Sequence, residues 1–263
     1  MKYLMLCLAL ITIACGNSEQ ATARQEVEQT PSTAEKAEAI AIDSSFTIDY
    51  ITGHFDPATH PDFTRIEDQY TDKKGVYLRK DTYEAFLKMY AAAKKDGVRL
   101  LIRSATRNFD YQKRIWESKW EGKQQLEAGE TAPNAYPDPK ERALAILRYS
   151  SMPGTSRHHW GTDMDLNAFS NAYFEKGEGK KIYDWLTAHA AEYGFCQPYS
   201  AGRPYGYNEE RWHWSYLPVA KQLTYLAKTQ LKDENIKGFK GDEAATDIGV
   251  VEKYVLGINE ACL

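Results

Sequence analysis

The chain has 263 residues, of which 43% are apolar and 27% charged, and its formal net charge is −4. This length and apolar content allow one large domain or two small ones with a buried core. Residues 45–263 are nearly neutral, because the stretch 16–44 holds six acidic residues against two basic ones. The composition therefore offers no basic surface of the kind that binds nucleic acid, and we expect no nucleic-acid partner.

The N-terminus has the pattern of an export signal. Lys2 gives it a positive start, and the apolar run of residues 3–14 is too short to span a bilayer as a stable helix. A small residue directly precedes Cys15, as in the lipobox of bacterial lipoproteins, which this segment resembles. We expect residues 1–14 to be a signal peptide and Cys15 to carry a membrane-anchoring lipid on the periplasmic side of the bacterial envelope. Thr12 stands where Leu is usual, so cleavage without lipidation is the alternative.

Residues 16–44 are rich in Glu, Gln, Thr, Ala and Ser and contain no aromatic residue. Such a segment cannot bury enough apolar surface to offset the conformational entropy that it would lose on ordering. We interpret it as a flexible tether that leads to a folded domain at residues 45–263.

Hydrophobic spacing predicts helices and strands in irregular order along the folded part. Helices are predicted over residues 81–96, from 109 onward, and over 141–149, 180–193 and 218–232; Pro139 occupies the first turn of the third. Short strands are predicted over residues 98–102, 162–167 and 212–216, a polar loop over 122–139, and a docked apolar tail over 250–258. Because strands and helices do not alternate regularly, we expect an α+β fold with a small antiparallel sheet rather than a parallel one.

Cys196 and Cys262 form an even pair of cysteines outside the leader of a chain that is predicted to be exported. Exported proteins form disulfides, and a bond here would tie the C-terminus back to the middle of the folded part. Two separately buried thiols are the alternative.

Two short segments concentrate the residue types that bind metals. Residues 156–165 read SRHHWGTDMD and residues 210–214 read ERWHW. A hydrolytic zinc site uses three nitrogen or oxygen ligands and keeps one position open for a water, whose proton an adjacent acid removes. Glu210 is the predicted acid. The predicted ligands are His158, Asp165 and His213.

Spacing alone leaves the roles of the residues next to these ligands open. Gly161 permits a sharp turn, so that His158 and Asp165 can reach the same ion. Asp163 and Asp165 share one face of the predicted strand, since side chains alternate, and the spacing leaves either of them as the ligand. His159 points away from His158 in an extended chain, so we expect it beside the ligands or in a substrate cleft.

The two segments resemble the motifs Ser-x-His-x-x-Gly-x-x-x-Asp and Glu-x-x-His of the LAS metallopeptidases. Within that group, the Glu-x-Trp-His form of the second segment is most similar to VanY-type D-alanyl-D-alanine carboxypeptidases. A third block, in which Ser104 and Arg107 are followed by Gln112, is similar to a Ser-x-x-Arg and Gln of the same family. The resemblance extends over roughly residues 81–217.

The resemblance implies a LAS or hedgehog-like fold, in which helices flank a small sheet that carries a zinc ion. It implies the zinc ligands His158, Asp165 and His213. It also implies Glu210 as general base, Arg107 as the group that holds the scissile carbonyl, and Ser156 and Gln112 as substrate contacts. Asp163 stands where many relatives have Ala, and we expect it to orient an imidazole or to meet a substrate ammonium.

The implied reaction is removal of the terminal D-alanine from peptidoglycan stem peptides by a monomeric zinc enzyme. An L,D-carboxypeptidase or a peptidoglycan endopeptidase of the same fold is the alternative. A metal-containing binding module without catalysis is a further one, but Glu210 argues against it, because a structural zinc site has no use for a spare base.

Overall fold

A computed structural model describes residues 43–263. The predicted signal peptide, the predicted lipid on Cys15 and residues 16–42 of the predicted tether lie outside the described residues, so these remain predictions. None of the helices in the described part is long and apolar enough to cross a membrane.

Helices and two small antiparallel sheets make up the described residues, as an α+β fold requires. The α-helices there are α1 (Ile48–Ile51), α2 (Lys80–Lys95), α3 (Phe109–Trp120), α4 (Ala132–Ala135), α5 (Pro139–Ile146), α6 (Gly177–His189), α7 (Leu217–Gln230) and α8 (Ala244–Ile248). The strands are β1 (Phe63–Arg65), β2 (Tyr77–Arg79), β3 (Ile102–Ser104), β4 (Asp163–Leu166), β5 (Phe195–Cys196) and β6 (His213–Tyr216). The predicted fold class is confirmed.

The larger sheet has four strands in the order β3-β4-β6-β5, and each neighbouring pair is antiparallel. Its two middle strands, β4 and β6, come from the two segments that the sequence singled out. Their register pairs Asp163 with Ser215, Met164 with Trp214 and Asp165 with His213. Directly opposite residues share a face of the sheet, so two predicted ligands lie side by side.

The apolar side chains of β4 set this register. Met164 and Leu166 are fully buried in one hydrophobic core, which α2 and α6 also line. Burial of a side chain of this size contributes about 1.5–3 kcal/mol, and a slip of one residue would exchange the apolar and acidic faces of the strand. Asp163 and Asp165 are therefore held on the opposite face from the core.

Helices α2, α3, α6 and α7 lie where the hydrophobic spacing predicts them, but other boundaries were wrong. The strand predicted over residues 98–102 is β3 instead, because only that stretch pairs with β4. The helix predicted to lead from Pro139 into residues 141–149 is α5, which starts at Pro139 as predicted, with Asp138 as its N-cap, but ends at Ile146. The predicted loop over residues 122–139 contains the short helix α4.

The C-terminal segment packs onto the domain, as predicted. Val250 and Val255 are buried in a second core that also contains Trp116. The structure contains the predicted disulfide between Cys196 and Cys262. It joins the C-terminus to β5, the edge strand next to β6.

Candidate metal site and substrate cleft

A 3-10 turn, Arg157–Trp160, brings the first predicted ligand to the sheet. Gly161 follows it with a φ of 74°, and a Cβ at this position would collide with the ring of Phe63. Only glycine fits such a reversal without strain. The turn directs His158 back onto β4, so that its Nε2 lies 3.3 Å from Asp165 Oδ2.

The three predicted ligands converge on one point. His213 Nδ1 lies 3.1 Å from Asp165 Oδ1. One donor atom from each of His158, Asp165 and His213 lies within 4.8 Å of the other two, and all three residues are buried. Atoms bound to one tetrahedral zinc ion at about 2.0 Å are about 3.3 Å apart, which agrees with these spacings. Asp165 Oδ1 has no hydrogen-bond donor among the described residues, as expected of a ligand atom.

The second nitrogen of each imidazole is engaged, and this fixes which nitrogen faces the shared space. His158 Nδ1 donates to Ala105 O at 2.9 Å, which leaves Nε2 as the inner atom. His213 Nε2 donates to Asp163 Oδ2 at 2.8 Å, which leaves Nδ1 as the inner atom. Burial, aided by the charge of Arg107, lowers the pKa of His158 to about 4, so this ring is neutral and able to ligate near pH 7.

Asp163 does not face the shared space but holds His213 from behind. Its Oδ1 accepts hydrogen bonds from Thr162 Oγ1 at 2.6 Å and from Ser215 Oγ at 2.7 Å. Its Oδ2 accepts from Arg157 Nε at 3.1 Å, in addition to His213. Burial raises the pKa of Asp163, but the charge of Arg157 and the hydrogen bonds outweigh it and hold that pKa well below its usual range. Two roles were expected for Asp163, to orient an imidazole or to meet a substrate ammonium. Its contact with His213 agrees with the first.

Arg157 is a buried cation that the sequence analysis missed. Its side chain is fully buried, and it donates to Thr224 Oγ1 at 3.0 Å and to Ser215 Oγ at 2.8 Å. Its guanidinium carbon lies 4.4 Å from the ring centroid of Trp160. A signal was available, since Asp163 departs from the family pattern and the oppositely charged Arg157 lies on the other side of the Gly161 turn.

His159 is turned away from the ligands, as predicted, and supports the backbone around the site. Its Nδ1 donates to Arg107 O at 2.6 Å, and its Nε2 accepts from Gly154 N at 3.0 Å. Burial lowers the pKa of His159 to about 3, so the neutral ring has one donor and one acceptor for these two partners. The residue thus links Arg107 to the turn that precedes the first segment.

Glu210 lies next to the three ligands without belonging to their group. Its Oε2 is 3.5 Å from His213 Nδ1, which is its one ionic contact among the described residues. Burial raises the pKa of Glu210, which increases its affinity for a proton. This is the environment that a general base requires.

A cleft of about 740 Å³ opens onto this site. Its wall includes the three predicted ligands, Glu210, Arg107, Lys119, Tyr149, Phe169 and Trp212. Ser156 and Gln112 do not line it: Ser156 is fully buried, and Gln112 Nε2 donates to Ser151 O at 2.8 Å behind the wall. Substrate contact by these two residues remains a prediction.

The chain matches two curated proteins over about half its length. It is 30% identical over 149 residues to YodJ of Bacillus subtilis (strain 168), whose name classes it with the carboxypeptidases. It is 26% identical over 133 residues to a D-alanyl-D-alanine carboxypeptidase of Enterococcus faecalis (strain ATCC 700802 / V583). These matches cover 54% and 50% of this chain but only 46% and 45% of the relatives, so the chain spans about half the length of the curated relatives it matches.

Two solved structures are among those to which the chain has a partial similarity. The LD-carboxypeptidase LdcB has a TM-score of 0.47 and 21% identity, with 74% of this chain and 79% of that chain covered. A mutant of the vancomycin resistance D,D-pentapeptidase VanY, in complex with Zn(II), has a TM-score of 0.44 and 23% identity, with 68% and 92% covered.

One family model contains the whole candidate site. The model described as "VanY: D-alanyl-D-alanine carboxypeptidase" matches residues 75–219, which is more than half of the chain. This range begins before β2, includes Arg107 and both metal-binding segments, and ends in the first turn of α7. The chain therefore belongs to the VanY D-alanyl-D-alanine carboxypeptidase family.

Proposed function

We propose that this protein is a zinc-dependent carboxypeptidase that removes the terminal D-alanine from peptidoglycan stem peptides. The observation that carries the proposal is the convergence of His158, Asp165 and His213 beside the carboxylate of Glu210, at the wall of an open cleft. Membership in the VanY family supports the same reaction.

The donor set fits zinc, because two imidazole nitrogens and one carboxylate oxygen are typical ligands of catalytic zinc sites. Zinc held by these three residues would polarise the scissile carbonyl and lower the pKa of a bound water. The contacts of His158 with Ala105 O and of His213 with Asp163 orient the two rings toward the ion.

Glu210 acts as the general base in this proposal. It accepts a proton from the attacking water and passes it to the nitrogen of the departing D-alanine, so that the amide bond breaks and an amine leaves. Its raised pKa, caused by burial, lets it both take up and release the proton.

Arg107 holds the scissile carbonyl oxygen as this atom gains negative charge. Its backbone nitrogen donates to His158 O at 3.2 Å, which places the residue next to a predicted ligand. A guanidinium is a planar fork of hydrogen-bond donors that suits an oxyanion, and the Nε of Arg107 has no partner among the described residues.

Mass spectrometry of purified muropeptides before and after incubation tests the reaction. We expect pentapeptide stems to lose one alanine and become tetrapeptides. Conversion of tetrapeptides to tripeptides would indicate an L,D-carboxypeptidase instead, and loss of cross-linked dimers would indicate an endopeptidase. Unchanged muropeptides that nevertheless bind to the protein would indicate a binding module.

We also propose that the protein works as an exported, lipid-anchored monomer on the periplasmic side of the cell envelope. The support for export and for the lipid anchor is the lipobox-like sequence that ends at Cys15. Metabolic labelling with a fatty acid tests the anchor: the label should appear on the wild-type protein and be lost in Cys15→Ala.

A further inference from the structure

Two cationic side chains in the cleft wall, Arg107 and Lys119, form no salt bridge with any described residue. The carboxylates of the same wall either lie at the metal site or pair with another residue. Asp165 and Glu210 surround the metal site, and Glu127 pairs with Arg148 at 3.0 Å. Among the described residues, neither cation therefore has a carboxylate partner within salt-bridge distance.

Packing and one hydrogen bond hold Lys119 in the wall of this cleft. It lies in the last turn of α3, which the buried rings of Trp116 and Trp120 fix to the core. Its Nζ donates to Ser150 Oγ at 2.6 Å, and Gln112 holds the adjoining residue of the cleft wall through Ser151 O. An ammonium group has three donors, so two of them remain for a ligand. Burial without a paired carboxylate lowers the pKa of Lys119, and an anionic ligand would relieve this cost.

Arg107 and Lys119 belong to the same cleft wall but have different neighbours. The backbone nitrogen of Arg107 donates to His158 O at 3.2 Å, so Arg107 adjoins a predicted ligand. Lys119 contacts Ser150 and none of the three predicted ligands.

A carboxypeptidase must recognise a free carboxylate close to the bond that it cuts. The carboxylate carbon is two bonds beyond the scissile nitrogen, about 2.5 Å away, so its binding group must lie near the group that holds the carbonyl. On the basis of the proposed function, we infer that Lys119 binds the C-terminal carboxylate of the leaving residue, beside Arg107 at the scissile carbonyl. The remainder of the peptide then extends along the wall formed by Phe169 and Trp212.

Kinetics on a matched pair of substrates test this assignment. The substrates are a peptide that ends in D-Ala-D-Ala as the free acid and the same peptide as its C-terminal amide. We expect Lys119→Met to lower kcat/KM for the acid by about 10–100-fold, the usual effect of losing a hydrogen bond to a charged group, and to leave the amide unchanged. Lys119→Arg should retain most of the preference for the acid.

Lys113→Met is the control, since Lys113 lies on the same helix but outside the cleft wall. This variant should leave kcat/KM unchanged for both substrates. Thermal unfolding of each variant shows whether it is folded, and Lys119→Gln replaces the Met variant in the same assay if the latter does not fold.

Binding measured by calorimetry in the Glu210→Gln background separates this inference from the proposed function. There the acid should bind more tightly than the amide, and addition of Lys119→Met should remove the difference. The inference is wrong if the protein binds the acid more tightly than the amide to the same extent with and without Lys119. It is also wrong if the protein with Lys119 binds the two peptides equally. Either result would overturn the inference even if the enzyme cleaves peptidoglycan. A wild-type protein that binds the acid through Lys119 but hydrolyses nothing would instead contradict the proposed function alone.

Discussion

At the scale of single residues, two carboxylates on one strand have different surroundings. Asp165 faces His158 and His213 with an oxygen that lacks a donor, whereas Asp163 accepts four hydrogen bonds and contacts the outer nitrogen of His213. The family pattern assigns the ligand to Asp165, and the geometry provides a physical basis for that assignment. Asp163 then affects the metal only through the ring that it orients.

Zinc content distinguishes the two roles. Asp165→Ala should lose both zinc and activity, because two imidazoles alone form a weak site. Asp163→Ala should still bind zinc, with an affinity lower by about 10–100-fold, which is the usual effect of removing a partner of a ligand. Metal analysis and chelator competition measure both. Zinc-free Asp163→Ala beside zinc-replete Asp165→Ala would reverse the assignment.

The contribution of the buried ion pair between Arg157 and Asp163 can be measured as a change in stability. Each single change, Arg157→Met or Asp163→Ala, leaves one buried charge without its partner and should lower the free energy of unfolding by about 3–5 kcal/mol. The double variant removes both charges, so its loss of unfolding free energy should be smaller than the sum of the two single losses. Denaturant unfolding of the four proteins gives the coupling energy, and additive single costs would show that the two charges do not interact.

At the scale of elements, the turn between the 3-10 helix and β4 determines the position of His158. Gly161→Ala adds a Cβ that collides with Phe63, in a backbone conformation with positive φ. We expect a loss of about 1–3 kcal/mol in the free energy of unfolding from backbone strain, and more from the collision, together with weaker zinc binding.

Gly75→Ala is a matched control for this prediction. Its φ is 64°, but no atom lies within 4 Å of the added Cβ, so it has the backbone strain without the collision. Equal losses of stability in the two variants, with unchanged zinc affinity in Gly161→Ala, would show that the turn does not position His158.

Most of the elements that carry the site could be predicted from sequence, because their apolar and polar residues recur with a clear period. Met164 and Leu166 required a buried face, and this places Asp163 and Asp165 on the opposite one. The partners of Arg157 and Lys119 could not be predicted, since Thr224 and Ser150 are distant in sequence and meet them only in the folded chain. The strand before the Ser104 block was misplaced for a similar reason: pairing with β4, rather than apolar content, decides where it starts.

At the scale of the whole molecule, the disulfide between Cys196 and Cys262 ties the C-terminal segment to the sheet. The two cysteines are 66 residues apart, and closing a loop of this length contributes on the order of 4 kcal/mol in the chain-entropy model. Reduction should therefore lower the Tm of the wild type but not that of a Cys196→Ala, Cys262→Ala double variant. Peptide mapping after alkylation without reductant provides the direct check, and two alkylated thiols at these positions would contradict the bond.

The central claim is that three residues hold zinc and that Glu210, which is not one of them, moves the proton. Glu210→Gln removes the base but retains the shape of the side chain and the three ligands. Zinc content and peptide turnover measured on the same purified sample test the claim most directly. We predict zinc bound as in the wild type and a rate lower by about 10²–10⁴-fold or more. Near-normal turnover with zinc bound, or loss of zinc together with activity, would contradict this account.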